Sequence, residues 1–289
     1  MHAKHRLRLV AGSTLLAMVA LLTLAGCGSQ SPSADASKKP SGTTSTPSAT
    51  PSTKTEATVQ DVRDRVQKAG TGTFSLVTRT VAGQELASIK GRYALDDQHV
   101  AARLTVPQGT GKPATARVEL VKGDAFFQVA QWTKAVRSCW LRSTTDDLSK
   151  SYGLDLATND QVPLPIDLLD RFQAVKSAGN GLVDGTLDIT AVLPLLSGAV
   201  KTQLVAAKPK GVVPAFLTFD GNDVLLTIPG YALSTALGES LKLDESKFSS
   251  IAAGRFEAGL RITGGIAGVG APSSGRQMSA ADLKANRCG

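Results

Sequence analysis

The sequence predicts an α+β domain: one large antiparallel sheet with helices packed on one side of it. Three observations lead there. Between Thr71 and Leu141 apolar residues recur at every second position in short runs divided by turn residues. Helical spacing precedes that block and follows it. Strands then resume beyond residue 210, so strands and helices are segregated rather than alternating as parallel β-α-β units. About 230 residues lie beyond a Ser/Thr/Pro-rich stretch, enough for one domain with a sizeable core.

The elements follow in order. Val59, Val62, Val66 and Ala69 repeat at helical spacing, with Asp61, Arg63, Asp64, Arg65 and Lys68 around the rest of the wheel. Thr58 followed by Asp61 offers a capped start and Gly70 a stop. The period then becomes two. Phe74, Leu76 and Thr78 oppose Ser75, Val77 and Arg79; Ile89, Gly91, Tyr93 and Leu95 alternate with Lys90, Arg92 and Ala94. Val100, Ala102, Leu104 and Val106 form a third set, and Ala116, Val118 and Leu120 a fourth. Ala82-Gly83, Asp96-Asp97, residues 109–113 and Lys122-Gly123-Asp124 supply the turns, which makes an antiparallel meander with one buried face. It continues through Phe126 to Ala130 and Trp140-Leu141.

From 144 to 200 the helical period returns. Leu168, Leu169, Phe172 and Val175 make one stripe behind Pro165; Ile189, Val192, Leu193 and Leu196 make another, interrupted by Pro194. Strands are expected again at Ala215–Phe219 and Val224–Ile228 around an Asp220–Asp223 turn. A final pair is expected at Phe256–Ile262 and Ile266–Val269.

The N-terminus reads as a processing signal. Lys4, Arg6 and Arg8 precede a charge-free apolar stretch, Leu9 to Leu24, too short for a stable transmembrane helix. It ends in Leu24-Ala25-Gly26-Cys27, which resembles the lipobox of bacterial lipoproteins. That resemblance implies cleavage before Cys27, a diacylglyceryl thioether on its sulfur and acylation of the new amino terminus. Residues 1–26 are then a signal peptide and the product is held by lipid at the outer face of the cytoplasmic membrane. Residues 27–57 carry the lipidated cysteine and a tract of Ser, Thr, Pro, Ala, Gly and Lys that cannot bury enough apolar surface to fold. Such a tether reaches roughly 30 Å. The domain proper spans 58–289.

The formal charge is +8, of which Lys4, Arg6 and Arg8 leave with the signal, so the mature chain carries about +5 without any Lys/Arg run. That balance favours an anionic membrane surface and gives no nucleic-acid footprint. With Cys27 taken by lipid, Cys139 and Cys288 remain in an oxidising compartment and predict one disulfide tying the C-terminus to the middle of the domain.

Catalytic chemistry has little to work with. His2 and His5 leave with the signal, and His99, beside a turn, is expected to be exposed; no Gly-x-Ser-x-Gly elbow appears. Cys and His do not cluster as zinc ligands. Asp146-Asp147 reads as a helix start and Asp220–Asp223 as a hairpin turn, neither with calcium-loop spacing. The glycines between Gly264 and Gly270 precede no helix and read as a bulge or tight hairpin rather than a phosphate loop. The chain is expected not to be an enzyme and to need no metal or cofactor.

The order of elements resembles the LolA-like superfamily, and within it the actinobacterial lipoproteins of the LppX and LprG type. The resemblance rests on Gly70-Thr71-Gly72-Thr73-Phe74 after the first helix and on the strand Ser88-Ile89-Lys90-Gly91-Arg92-Tyr93. It rests also on the Val118–Phe127 hairpin followed by Trp140, on Val213-Pro214 leading to Asp220-Gly221, and on the late strand running to Ala271-Pro272. It covers roughly 56 to 285 in layout. It implies a curved antiparallel half-barrel with helices packed on its concave side, and an apolar cavity between sheet and helices that holds acyl chains. The candidate lining residues are Phe74, Leu76, Leu104, Leu120, Phe126, Leu168, Leu169 and Phe172. The expected partners are the membrane, through the anchor, and a lipid or other hydrophobic ligand. The rival expectation is an interaction module with a filled core that binds an envelope protein or a cell-wall component.

Overall fold

In the computed structural model the described residues are 53–106, 113–147, 156, 162–196, 198–265 and 271–288. Helix α1, Thr53–Ala69, opens the domain and ends at Gly70, whose backbone turns left-handed (φ 62°) while its N–H still reaches the Val66 carbonyl. The helix starts five residues before the expected cap at Thr58, because Pro51 is the last residue that interrupts a helical sequence.

A meander follows: β1 (Thr71–Thr80), β2 (Glu85–Ala94), β3 (His99–Val106), β4 (Ala114–Val121), β5 (Asp124–Val129) and β6 (Trp140–Thr144). The β4–β5 turn is the expected one, with Lys122 and Gly123 both at positive φ, the geometry that matches strand twist. After α2 (Leu164–Arg171) come β7 (Gln173–Gly179), β8 (Leu182–Asp188), α3 (Ile189–Val192) and α4 (Gly198–Ala207). Then follow β9 (Val212–Asp220), β10 (Asp223–Pro229), α5 (Gly230–Leu241), α6 (Ser249–Ala252) and β11 (Gly254–Ile262). The chain closes with β12 (Gln277–Met278) and α7 (Ala280–Lys284).

All twelve strands form one open sheet, in the order β12-β6-β5-β4-β3-β2-β1-β11-β10-β9-β8-β7. Every pairing is antiparallel except β12 with β6. The fold class is therefore the α+β one expected, with a large unclosed sheet and helices. Among the described residues no helix is long and apolar enough to cross a membrane.

The stripe read as a helix through Val175 is corrected. The helix stops at Arg171, Phe172 is extended (ψ 125°), and Gln173–Gly179 is an edge strand paired with β8. Gly179, Asn180 and Gly181, all at positive φ, form the hairpin turn that the helical reading passed over. The second stripe survives in shortened form: α3 gives way at Leu193-Pro194-Leu195 to a 3₁₀ turn, as Pro194 requires. The expected strand at Ile266–Val269 lies outside the described residues.

Register separates the sheet into two faces. On one, Leu141, Phe127, Val118, Ala102, Gly91, Phe74, Leu260, Val224 and Phe219 stand in successive cross-strand positions. This face joins one core with the apolar sides of α1, α2, α3 and α5. The other face carries the polar half of each strand.

Candidate functional site

The apolar face gathers most of the candidate lining residues. Phe74, Leu76 and Leu120 from the sheet and Leu168, Leu169 and Phe172 from α2 and its end are buried in a single cluster, and Leu104 packs against its margin. Pro163 and Pro165 start α2 without a side-chain cap, and its helical spacing turns Ile166, Leu168 and Leu169 inward. Two aromatic rings press against strand backbone where the residue beneath is glycine. A Cβ on Gly91 would come 2.6 Å from Phe74 Cε1, and one on Gly185 would collide with Phe172 Cζ. These glycines are where a ring needs the backbone's surface. In the structure the six are shielded from solvent, with exposures between 0% and 7%.

Phe126 does not join them. It pairs with Glu119 and Arg142, so it points to the opposite face, and Phe127 takes the inward position. A doublet of phenylalanines does not tell the two faces apart; only the register with Val118 does.

The polar face carries an open groove of about 1310 Å³ crossing several strands. Lys90, Arg92, Arg103, Arg117 and Arg261 line it together with Glu119, Asp220 and Asp223. Arg261 is neutralised by a two-toothed pair with Asp223 (2.6 and 3.0 Å), which holds that carboxylate below its ordinary range. Glu119 is pushed up by burial, against the pull of Arg92 and Arg117. A second pocket of about 620 Å³ adjoins it at Arg103, Arg117 and Trp140. Sequence reading singled out none of these cations, since they are scattered along the chain; only their alternate positions in β2, β3 and β4 hinted that they share a face.

Neither a family model nor a curated protein sequence matches the chain. Solved structures similar to it include the following two. LprF from Mycobacterium bovis is 10% identical, with a TM-score of 0.45, over 77% of this chain and 99% of that one. The lipoprotein LppX of Mycobacterium tuberculosis is 10% identical, with a TM-score of 0.34, over 71% of this chain and 94% of that one.

The remaining expectations fall as follows. Cys139 and Cys288 are joined in a disulfide, with Cα atoms 6.0 Å apart. Cys27 lies outside the described residues. The exposed His99 is corrected: it is only 4% exposed, fixed between Ala94 and Val121 at the start of β3, and its Nε2 has no hydrogen-bond partner. Burial, helped by Arg92, lowers its pKa and keeps it neutral. Thr144 Oγ1 accepts from the Asp147 N–H, so Asp146-Asp147 does open a helical turn. Asp220 and Asp223 flank the β9–β10 hairpin as expected.

Proposed function

We propose that the chain is an envelope lipoprotein, anchored by acyl groups on Cys27 at the outer face of the cytoplasmic membrane, that binds lipids or other hydrophobic ligands without catalysis. Residues 1–26 are removed, the stretch from Cys27 up to the start of α1 at Thr53, five residues shorter than the sequence suggests, forms the tether, and the domain beyond does the binding. The observation that supports this best is the convergence of Phe74, Leu76, Leu120, Leu168, Leu169 and Phe172 between sheet and helices. A chain of methylenes entering there meets apolar surface on both sides and needs no polar partner. All six side chains are shielded from solvent, so such a chain enters between sheet and helices rather than across an exposed surface. Protein purified from its own host should release acyl lipid on solvent extraction and show its mass adduct by native mass spectrometry. Material that is consistently empty would overturn the reading. The burial of all six side chains favours one rival, an interaction module with a filled core. Its signature is a stoichiometric envelope protein or cell-wall fragment recovered by crosslinking in whole cells.

A further inference from the structure

On the polar face of the sheet, two pairs of arginines stand directly opposite each other on neighbouring strands. Arg79 faces Arg255 across β1 and β11, and Arg103 faces Arg117 across β3 and β4. Like charges so placed destabilise a sheet unless something neutralises them. The first pair is neutralised within the fold: Glu257 takes Arg79 Nε at 2.9 Å and Arg255 Nη2 at 2.7 Å. The second pair is not. Next in its row, opposite Arg103, comes Lys90, a further cation. Among the described residues no carboxylate lies within ion-pair distance of Arg103 or Arg117; Glu119, two residues along β4, lines the neighbouring groove.

Two more arginines converge on the same place. Arg137 and Arg276 join Arg103 and Arg117 around the 620 Å³ pocket, with Trp140 and Gln128, and among the described residues no acid lines it. The two come from separate segments that the fold brings together. Gln277 pairs with Trp140 in the parallel β12–β6 step, which places Arg276 beside β6. The disulfide to Cys139 secures the C-terminal unit, and Arg137 is two residues from that cysteine. Four exposed guanidinium groups thus converge on one pocket, and the nearest acid, Glu119, feels Arg117 only through space, without a hydrogen-bonded pair.

We propose that this four-arginine pocket binds the phosphate head group of an anionic lipid. The planar forks of arginine pair with phosphate oxygens two at a time. The pocket holds much more than an inorganic phosphate, and the Trp140 indole offers an apolar wall for the carbon skeleton next to it. The tether read from the sequence keeps the domain within reach of a membrane surface rich in such head groups. This pocket lies on the face away from the helices, so it holds its ligand whether or not an acyl chain enters the apolar layer.

The test is calorimetric titration of the whole mature chain carrying Cys27→Ser, which removes binding by the anchor's own acyl groups. The probes are dihexanoyl-phosphatidylglycerol, the zwitterionic dihexanoyl-phosphatidylcholine and inorganic phosphate. Phosphatidylglycerol should bind, phosphatidylcholine should not, and inorganic phosphate should bind about tenfold more weakly or worse. Arg103→Gln and Arg117→Gln should each weaken phosphatidylglycerol about tenfold without lowering the melting temperature, while Arg142→Gln, which removes a guanidinium already paired with Asp124, should leave it unchanged. Inorganic phosphate binding as tightly as the lipid would assign the site to a free anion and overturn the lipid reading. Absence of phosphatidylglycerol binding, or equal loss with Arg142→Gln, would overturn the site itself. None of these outcomes bears on whether extracted protein carries an acyl chain.

Discussion

On the helix-covered face of the sheet, the row from Leu141 through Phe127, Val118, Ala102 and Phe74 to Leu260 and Val224 crosses eight strands without a charge. On the opposite face of the same strands, the row from Gln128 through Arg117, Arg103 and Lys90 to Ser75 places three cations side by side. The first row is what burial demands: any charge there would lose its water with nothing to replace it. Folding does not demand the second, and it works against it. A residue that stability explains carries no message about function, whereas one that stability opposes does. The difference between the faces therefore directs attention to Arg103 and Arg117 rather than to the larger and better-packed apolar surface.

The two faces meet at the edge where β6, β12 and the C-terminal unit come together, and there one covalent bond serves both. Cys139 and Met278 belong to the core, while Arg137, Trp140 and Arg276 form the pocket wall. The disulfide closes a loop of 149 residues, and its removal by Cys139→Ser with Cys288→Ser should lower stability by about 4–5 kcal/mol in the chain-entropy account. Denaturant unfolding measures that loss. If head-group affinity stays intact in the surviving folded protein, the pocket does not depend on the cross-link, and the coupling of the two faces at this edge is broken.

Within the apolar face, Phe172 is the residue to remove. Its ring is 1% exposed and rests on Gly185. Phe172→Ala should cost about 3–5 kcal/mol, the sum of lost transfer energy and the cavity left behind. Phe126→Ala, on the other face and outside the main cluster, should cost less. Comparable losses would mean that register does not sort the two phenylalanine sites as the pairings indicate.

How far the sequence foretold this arrangement depends on the kind of signal. Alternation over β1 to β5 is strong, because nearly every inward position is apolar, Thr78 being an exception, and each turn contains Gly or paired Asp. The disulfide followed from counting cysteines. The β7–β8 hairpin was missed because Gln173–Gly179 has only Ala174 buried, an edge strand with almost nothing to alternate, while Leu168, Leu169, Phe172 and Val175 mimic a helical stripe. Of the candidate lining residues, those on strongly periodic segments converge, and Phe126 falls away because a one-residue slip of register exchanges faces. The arginine pocket could not be read at all. Arg103 and Arg276 are joined by pairing between strands far apart in the chain, and composition records only a mild positive excess.

The contrast between the opposed arginine pairs gives predictions of opposite sign. Glu257→Gln removes the acid shared by Arg79 and Arg255, leaving only the longer 3.9 Å pair of Arg79 with Glu85, and should destabilise by about 1 kcal/mol, discounted because both guanidinium groups are partly in solvent. Arg103→Gln relieves a repulsion that has no such acid and should stabilise by a few tenths of a kcal/mol. Thermal unfolding of both variants at low ionic strength makes the comparison. Destabilisation by Arg103→Gln would show that Arg103 is already neutralised.

The smallest effect expected is acid-induced loosening of the C-terminal unit alone. Asp282 closes a capping box with Ser279 at the start of α7 and accepts from Arg287 at 3.0 Å, next to the disulfide-bonded Cys288. The Ser279 hydroxyl and backbone N–H, then Arg287, hold its pKa down to about 2. A carboxylate whose folded pKa lies below its unfolded value of about 3.9 stabilises the fold above that value and loses its contribution as pH falls through about 2. Amide exchange at residues 280–284 should therefore be independent of pH-driven opening down to about pH 4 and quicken below it, while amides of β1 to β4 stay protected. Because Arg276 sits just ahead of this unit, the pocket should lose affinity over the same interval before the apolar face responds. Opening of α7 that began near neutral pH would mean that some other group, with a raised rather than a lowered pKa, controls this end of the sheet.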